Sequence, residues 1–321
     1  MSRQYRSLPE FVAVATIVVL LPVATRSLTL ATEVLVFGLV VVASNLLLGK
    51  AGLLSFGQAV FFGLGGYLGA HVLKLTPAGL VGAAVACAAA GAVVAAAIGM
   101  LAIRKQGIYF VMLTLTFCQL AYFIAYTASG ITGGENGLLD VPRTVLPAGL
   151  LGDMLARGVP FYASVAVVFL TVGALVIRMD RSPFGSVLLA IRENPVRAAV
   201  IGYDVRAYKI GVFAVSGAIT ALAGALHASL LGFVPLTNVS IEMSERILIM
   251  TILAGSGGML SALLAALVVL VLNDWFAALW PRWMLLLGLS LIVIALFAPN
   301  GIGGLLAPLR DRLRVALGAQ P

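Results

Sequence analysis

TLATEVLVFGLVVVASNLLLGKAG, Thr29 to Gly52, decides how this chain is read. From Thr29 to Leu48 the only ionisable side chain is Glu33. A helix crossing a bilayer needs about 20 such residues, and a helix is one of the few structures that satisfies its own backbone in hydrocarbon. Gly49–Lys50–Ala51–Gly52 then breaks the run. Similar apolar segments lie at 9–25, 53–73, 78–103, 108–128, 160–177, 210–233, 247–272 and 284–306. The segment 247–272 carries its own break, Ala254–Gly255–Ser256–Gly257–Gly258.

Composition points the same way. Of 321 residues, 62% are hydrophobic and 10% charged, with a mean hydropathy of +1.12. Soluble domains run near 45–50% apolar and about 25% charged. A soluble enzyme, a nucleic-acid binder and a disordered chain are therefore all disfavoured. Unbroken apolar runs also argue against a β-barrel, whose strands alternate. The expected fold is all-α: a single membrane domain over 1–321, with about 8–10 transmembrane helices and broken or re-entrant segments. Small residues crowd 83–103, which reads as a helix–helix interface. Cys87 and Cys118 lie in apolar runs without metal-ligand spacing and read as small buried hydrophobes. Arg3 and Arg6 before Phe11–Thr25 imitate a signal peptide, but the next apolar run follows so soon that an uncleaved first span is the better reading.

Charge sets the orientation. Thirteen of the 20 basic residues lie at Arg3/Arg6, Arg104/Lys105, the 178–209 stretch and the 307–321 tail. Lys and Arg in short loops mark the cytoplasmic side. Both termini and the 178–209 loop are then cytoplasmic, and the 129–159 loop is external. Beyond 209 three segments remain, which leaves the C-terminus on the wrong side. A turn at Gly255–Gly258, with 247–272 entering and leaving on one face, restores the parity. Covered non-helical backbone is admissible at that depth. Both glycine breaks carry Leu-x-Gly, a further glycine and Leu-Ser, and read as equivalent positions of an internal repeat, a common transporter design.

No catalytic or metal constellation is found. His71 and His227 are far apart, no Walker A loop is present, and Glu33 stands alone among the spans. The net charge of +8 therefore reads as orientation and docking. The 178–209 loop is the most informative stretch. Asn194 suits an N-cap, Pro195 the first helical position and Gly202 the position after the end. The two turns between them are too short to stand alone in water, so neighbours or a partner must hold them. An ordinary solvated loop is the bland alternative.

The residues resemble a known family, the LivM-type inner-membrane permease subunits of bacterial branched-chain amino acid ABC transporters. The resemblance covers roughly 30–305 and rests on motifs in the family order: Asn45 to Tyr67 (NLLLGKAGLLSFGQAVFFGLGGY), Gly107 to Phe117 (GIYFVMLTLTF), Ile131 to Leu138 (ITGGENGL), Asp180 to Gly202 (DRSPFGSVLLAIRENPVRAAVIG), the Leu253–Gly258 break and the closing LFAPNGIGGLL. It implies a non-enzymatic importer subunit that binds no cofactor itself. ATP and magnesium would belong to two cytoplasmic ATPase partners. A second, LivH-type permease and a periplasmic substrate-binding protein would complete the assembly within membrane lipid. Arg192, Glu193, Asn194, Pro195, Arg197, Ala198, Ala199 and Gly202 would then couple to the ATPases. The importer docking motif E-A-A-x-x-x-G is not kept, since Val196 stands where Glu is expected. Gln58 stands where related sequences often have His.

Asn45, Ser55, Gln58, Thr114, Thr116 and Gln119 are the polar candidates for the pathway. Gly49, Gly52, Gly255, Gly257 and Gly258 are the helix breaks. Each polar candidate competes with the reading of a helix–helix hydrogen bond, worth under about 2 kcal/mol. Other cargoes (urea, amides, other amino acids) and an ion-coupled secondary transporter are the alternatives.

Overall fold

A computed structural model describes residues 8–76, 79–105, 107–142, 158–255, 258–279, 285, 288–289 and 301–304. Arg3, Arg6, the centre of the 129–159 loop, Gly257 and the 307–321 tail lie outside the described residues. The chain is helical, as its periodicity and composition require. In order come α1 (Leu8–Thr25), α2 (Leu28–Asn45), α3 (Gln58–Leu75), α4 (Gly79–Ala102), α5 (Ile108–Thr127), α6 (Val159–Asp180), α7 (Pro183–Glu193), α8 (Pro195–Val200), α9 (Val205–Leu231), α10 (Ile241–Ala254) and α11 (Met259–Leu279). Six of the described helices are long and apolar enough to cross a membrane: α2 with its extension to Ala51, α4, α5, α6, α9 and α11.

Polar caps set the starts. Ser27 accepts from the Leu30 N–H at 3.3 Å to open α2. Asp204 accepts from the Arg206 and Ala207 N–H groups, each at 3.0 Å, to open α9. Such side chains replace partners that the first turn of a helix lacks.

The long helix α9 is the axis, and α3 and α4 pack closely along it. Glycine makes this approach possible. A Cβ on Gly65 would lie 1.8 Å from the Ala221 carbonyl oxygen, and one on Gly224 would lie 2.0 Å from that of Phe62. On α4, Ala83, Cys87, Gly91, Ala95 and Gly99 form a buried stripe at four-residue spacing. The opposite face, with Val81, Val85 and Val93, is exposed. The alanine-rich segment is thus an interface on one stripe only, because a helix buries one face against one neighbour.

α7 and α8 define one end of the bundle, shared by the π-helical end of α2 and the end of α4, where Arg206 donates to the Met100 carbonyl at 2.8 Å. At the other end the 129–142 segment folds over α3 and α9. Leu138 and Val234 exchange backbone bonds of 3.0 and 2.8 Å, and Lys74 donates to the Leu139 carbonyl at 2.6 Å.

The segment expected at 247–272 breaks at Gly255, but its helices extend further than hydropathy shows. Ser240 caps α10 from the Met243 N–H at 3.4 Å, so the helix begins at Ile241 and takes in Glu242, Glu245 and Arg246. The second helix runs on to Leu279 and includes Asp274. Met259 abuts Gly173 and Leu263 abuts Gly38, so α11 starts in the α7/α8 half of the bundle. Gly301 is packed so close to the Leu253 carbonyl and Gly255 that a Cβ there would lie 2.5 Å from the former, which returns residues 301–304 to that same junction.

The two breaks do not share a backbone. Gly49 lies inside a π-helical turn, Leu46–Ala51, that ends at Gly52 with φ +67°. Gly255 terminates a helix outright, with φ +65° and ψ −154°.

Candidate functional site

The segment after α6 folds as its local signals require. Pro183 starts α7, whose Val187, Leu188 and Ile191 turn inward while Phe184 stacks on Tyr208 at 5.3 Å. Asn194 then accepts from the Arg197 N–H at 2.9 Å and caps α8, with Pro195 at its first position. The end is a Schellman closure. The Gly202 N–H donates to the Ala199 carbonyl at 3.0 Å, and the Tyr203 N–H to that of Ala198 at 3.2 Å. Gly202 sits at φ +101°, a conformation other residues resist. Ala198 anchors the short helix by packing with Val187 and Ile191. Its other side stands open: Val196, Val200 and Ile201 are 71%, 83% and 70% exposed. Glu193, Arg197 and Ala199 are exposed around them. Two turns of helix fixed at both ends thus show apolar side chains outward.

This surface is tied to the first helix break. Arg192, the penultimate residue of α7, donates from Nη1 to the Gly49 carbonyl in the π turn. Its Cγ lies so near Gly52 that a Cβ there would sit 3.3 Å away. One residue further into the turn, Lys50 pairs with Asp180 at the end of α6 at 3.1 Å. A π turn leaves carbonyls short of their usual partners, and Arg192 supplies one.

Past Gly52 the chain runs without helix to Gln58, and here the pathway candidates gather. Thr114 of α5 accepts from the Phe56 N–H at 3.2 Å. Ser55 accepts from the Gly57 N–H at 3.1 Å. Gln58 is 1% exposed. Its Nε2 donates to Ser216 at 3.1 Å and its Oε1 accepts from Thr220 at 2.8 Å, while Ser216 passes its own proton to the Ala43 carbonyl at 2.8 Å. Gln58, with Ser216, thus links α2, α3 and α9, Thr114 ties the segment to α5, and Ser55 makes a local turn within it. Asn45 is half-buried at the head of the π turn, with its Nδ2 unpaired. Thr116 and Gln119 are not brought to this cluster. They lie on the exposed face of α5 beside Met112, Leu120 and Phe123, with Thr116 bonded only to its own helix at the Met112 carbonyl, 2.9 Å away.

Sequence reasoning missed the residue that completes the brace. Ser244 of α10 donates to the Phe56 carbonyl and accepts from the Ala59 N–H at 3.2 Å. Two helices, α5 and α10, thus supply hydroxyls to this backbone inside the bundle, where an unpaired group would cost several kcal/mol. It also missed Arg246, whose guanidinium lies 5.1 Å from the Phe37 ring centroid, with the charges of Glu33 and Asp274 nearby. Glu33 is therefore not a lone charge. The cue for Arg246 was the Ser240 cap, which starts the helix before it. Among the described residues, no three His, Cys, Asp or Glu side chains group to hold a metal.

A family model described as "Branched-chain amino acid transport system / permease component" matches residues 27–296. The protein named high-affinity branched-chain amino acid transport system permease protein LivM of Escherichia coli K12 is 27% identical, over 92% of this chain and 74% of its own length. The protein of the same name from Salmonella typhimurium LT2 is 27% identical, over 92% and 73%. No solved structure matches.

Proposed function

Because the chain belongs to the family of branched-chain amino acid transport permeases, we propose that it is the membrane subunit of an ATP-driven importer in the bacterial inner membrane. On this reading branched-chain amino acids are the cargo. A second permease completes the channel, a periplasmic protein delivers the substrate, and two ATPases dock at the end of the bundle that carries α7 and α8. That end is cytoplasmic on the positive-inside rule, since it holds Arg104, Lys105, Arg178, Arg192, Arg197 and Arg206 against Arg26 and Lys74 at the other.

The observation that carries the proposal is the open face of α8, linked through Arg192 and the Gly49 carbonyl to the break in α2. Movement of a docked ATPase would shift α7 and α8 together, since Ala198 is packed with Val187 and Ile191. Arg192 and the Lys50–Asp180 pair would pass that shift to the π turn and to α6. The braced backbone at 53–57 would carry it on to α3, α5 and α10. A zwitterion does not cross hydrocarbon unaided, so the pathway must offer polar groups. The exposed face of α5, with Thr116 and Gln119, is the one this chain would present across a permease pair.

The test is reconstitution of the chain with its partner subunits in liposomes. ATP hydrolysis stimulated by substrate-loaded binding protein and uptake of labelled leucine, isoleucine or valine are the expected results. Arg197→Glu with Gly202→Val is expected to lower uptake at least tenfold while the chain still inserts, the loss of about 1.4 kcal/mol or more of coupling. Full transport by that double variant would remove α8 as the docking site. Transport by the purified chain alone under an ion gradient would overturn the ATP-driven reading. A competition panel with urea, amides and other amino acids fixes the cargo.

A further inference from the structure

A groove runs down the outside of α9 between α4 and α6. Its volume is about 330 Å³, and its walls are apolar side chains, among them Ala88 and Ala92 of α4, Leu175 and Val176 of α6, and Ala218 and Leu222 of α9. It reaches Met179, one residue before the end of α6, and so opens toward the end of the bundle that carries α7 and α8. Small residues on α4 and α9 make it. Ala88, Ala92, Ala214 and Ala218 leave space that larger side chains would fill.

Water does not occupy such a site, because a buried water needs two or more polar partners and the lining offers none. Left empty, the lining would forfeit dispersion contacts. The end of the bundle toward which the groove opens is cationic. Arg178 lies between the lining residues Val176 and Met179 on α6, and its side chain is exposed. Arg206 reaches from α9 to the Met100 carbonyl of α4, and Arg104 and Lys105 follow α4 on the same side with their side chains exposed. Basic side chains between helices at the membrane surface hold anionic headgroups.

We propose that this groove holds one acyl chain of an anionic glycerophospholipid, with its phosphate among Arg178, Arg104, Lys105 and Arg206. The apolar walls select a chain of hydrocarbon and not a peptide or a solute. The arginines select the charge of the headgroup. The site wedges α4 and α6 apart on the axis helix, so its occupant becomes part of the packing of α9. The inference needs neither the ATPase partners nor the transported substrate, and it stands or falls apart from them.

Native mass spectrometry of the purified full-length chain tests it. Delipidated protein is titrated with phosphatidylglycerol and, separately, with phosphatidylcholine of the same acyl chains. Wild type is expected to retain phosphatidylglycerol at least about fivefold better, the scale of one basic group at a membrane surface. Arg178→Gln with Arg104→Gln is expected to bring the two lipids level. Ala218→Leu, which fills the groove, is expected to lower retention of both. Should Ala218→Leu fail to fold, the exposed arginine pair still decides. Equal retention of the two lipids by wild type, or no change in the arginine variant, overturns the proposal. So does an Ala92→Cys chain that crosslinks to another protein in the native membrane, since the groove would then be covered by protein.

Discussion

The two glycine breaks meet the same requirement by different means. At the first, a π turn and the backbone of 52–57 are held from outside, by Thr114 of α5, Ser244 of α10, the Gln58–Ser216–Thr220 brace and Arg192 of α7. At the second, the conformation belongs to glycine itself. Gly255 sits at φ +65° and ψ −154°, a region that is essentially glycine's alone. Among the described residues, the serine beyond it, Ser261, bonds only to the Gly258 carbonyl three residues back, at 2.8 Å. A break shaped by distant side chains moves when those elements move. A break shaped by its own dihedrals acts as a fixed corner. On this argument the first break is the joint that follows its neighbours and the second a corner set by its own dihedrals.

Removing one hydroxyl at each break gives the largest contrast. Ser244→Ala leaves the Phe56 carbonyl and the Ala59 N–H without their partner in a buried place, at about 1–3 kcal/mol for each orphaned group. Ser261→Ala removes one local bond, worth about 1 kcal/mol. Denaturant unfolding of the purified chain in micelles measures both. Equal losses would abolish the distinction.

Backbone strain comes next, and it runs in the opposite direction. Gly255→Ala forces a Cβ into the glycine-only region, at about 1–3 kcal/mol. Gly52, at φ +67° and ψ +25°, occupies the left-handed region that asparagine tolerates. Gly52→Asn is expected to cost under about 1 kcal/mol, provided Arg192 shifts slightly to admit the new Cβ. Unfolding midpoints of the two variants set side by side check this. A Gly52→Asn chain less stable than Gly255→Ala would show that the first break is as rigid as the second.

What sequence made legible follows from range. Asn194, Pro195 and Gly202 act within one or two turns of themselves, and α8 lies where they placed it. The apolar runs located the spans, because burial in lipid depends on composition over a window of about 20 residues. Both breaks were visible as glycine clusters, but the π geometry of the first was not, since Arg192 stabilises it from 143 residues away. Gln58, Ser55 and Thr114 stood out as polar residues in spans, which is equally the signature of a pathway and of a brace. The bracing role of Gln58 rests on contacts across 158 and 162 residues, to Ser216 and Thr220, which no local pattern announces. Ser244 and Arg246 went unseen because hydropathy started their segment after them.

The smallest effect on stability is expected at Lys50 and Asp180, and it bears most directly on the joint. The pair closes at 3.1 Å with both side chains about 30% exposed. Partial solvent screening and the cost of desolvating both charges hold the net contribution to about 1 kcal/mol. Folding therefore gives no strong reason for an ion pair between a π turn and the end of α6. The proposed coupling does, because the pair would fix the direction in which the turn follows α6 and α7. Lys50→Gln, which removes the pair without setting two carboxylates against each other, is expected to shift the unfolding midpoint only slightly while lowering ATP-driven uptake in the reconstituted complex several-fold. The charge-swapped chain, Lys50→Asp with Asp180→Lys, is expected to regain most of it. Recovery in the swap separates a coupling role from the loss of a lysine, since both chains lack Lys50 and only one lacks the pair. Uptake equally poor in the single and swapped chains would mean that the joint is driven through Arg192 alone. Unaffected uptake in the single variant would return the first break to the status of the second, a corner that happens to be braced.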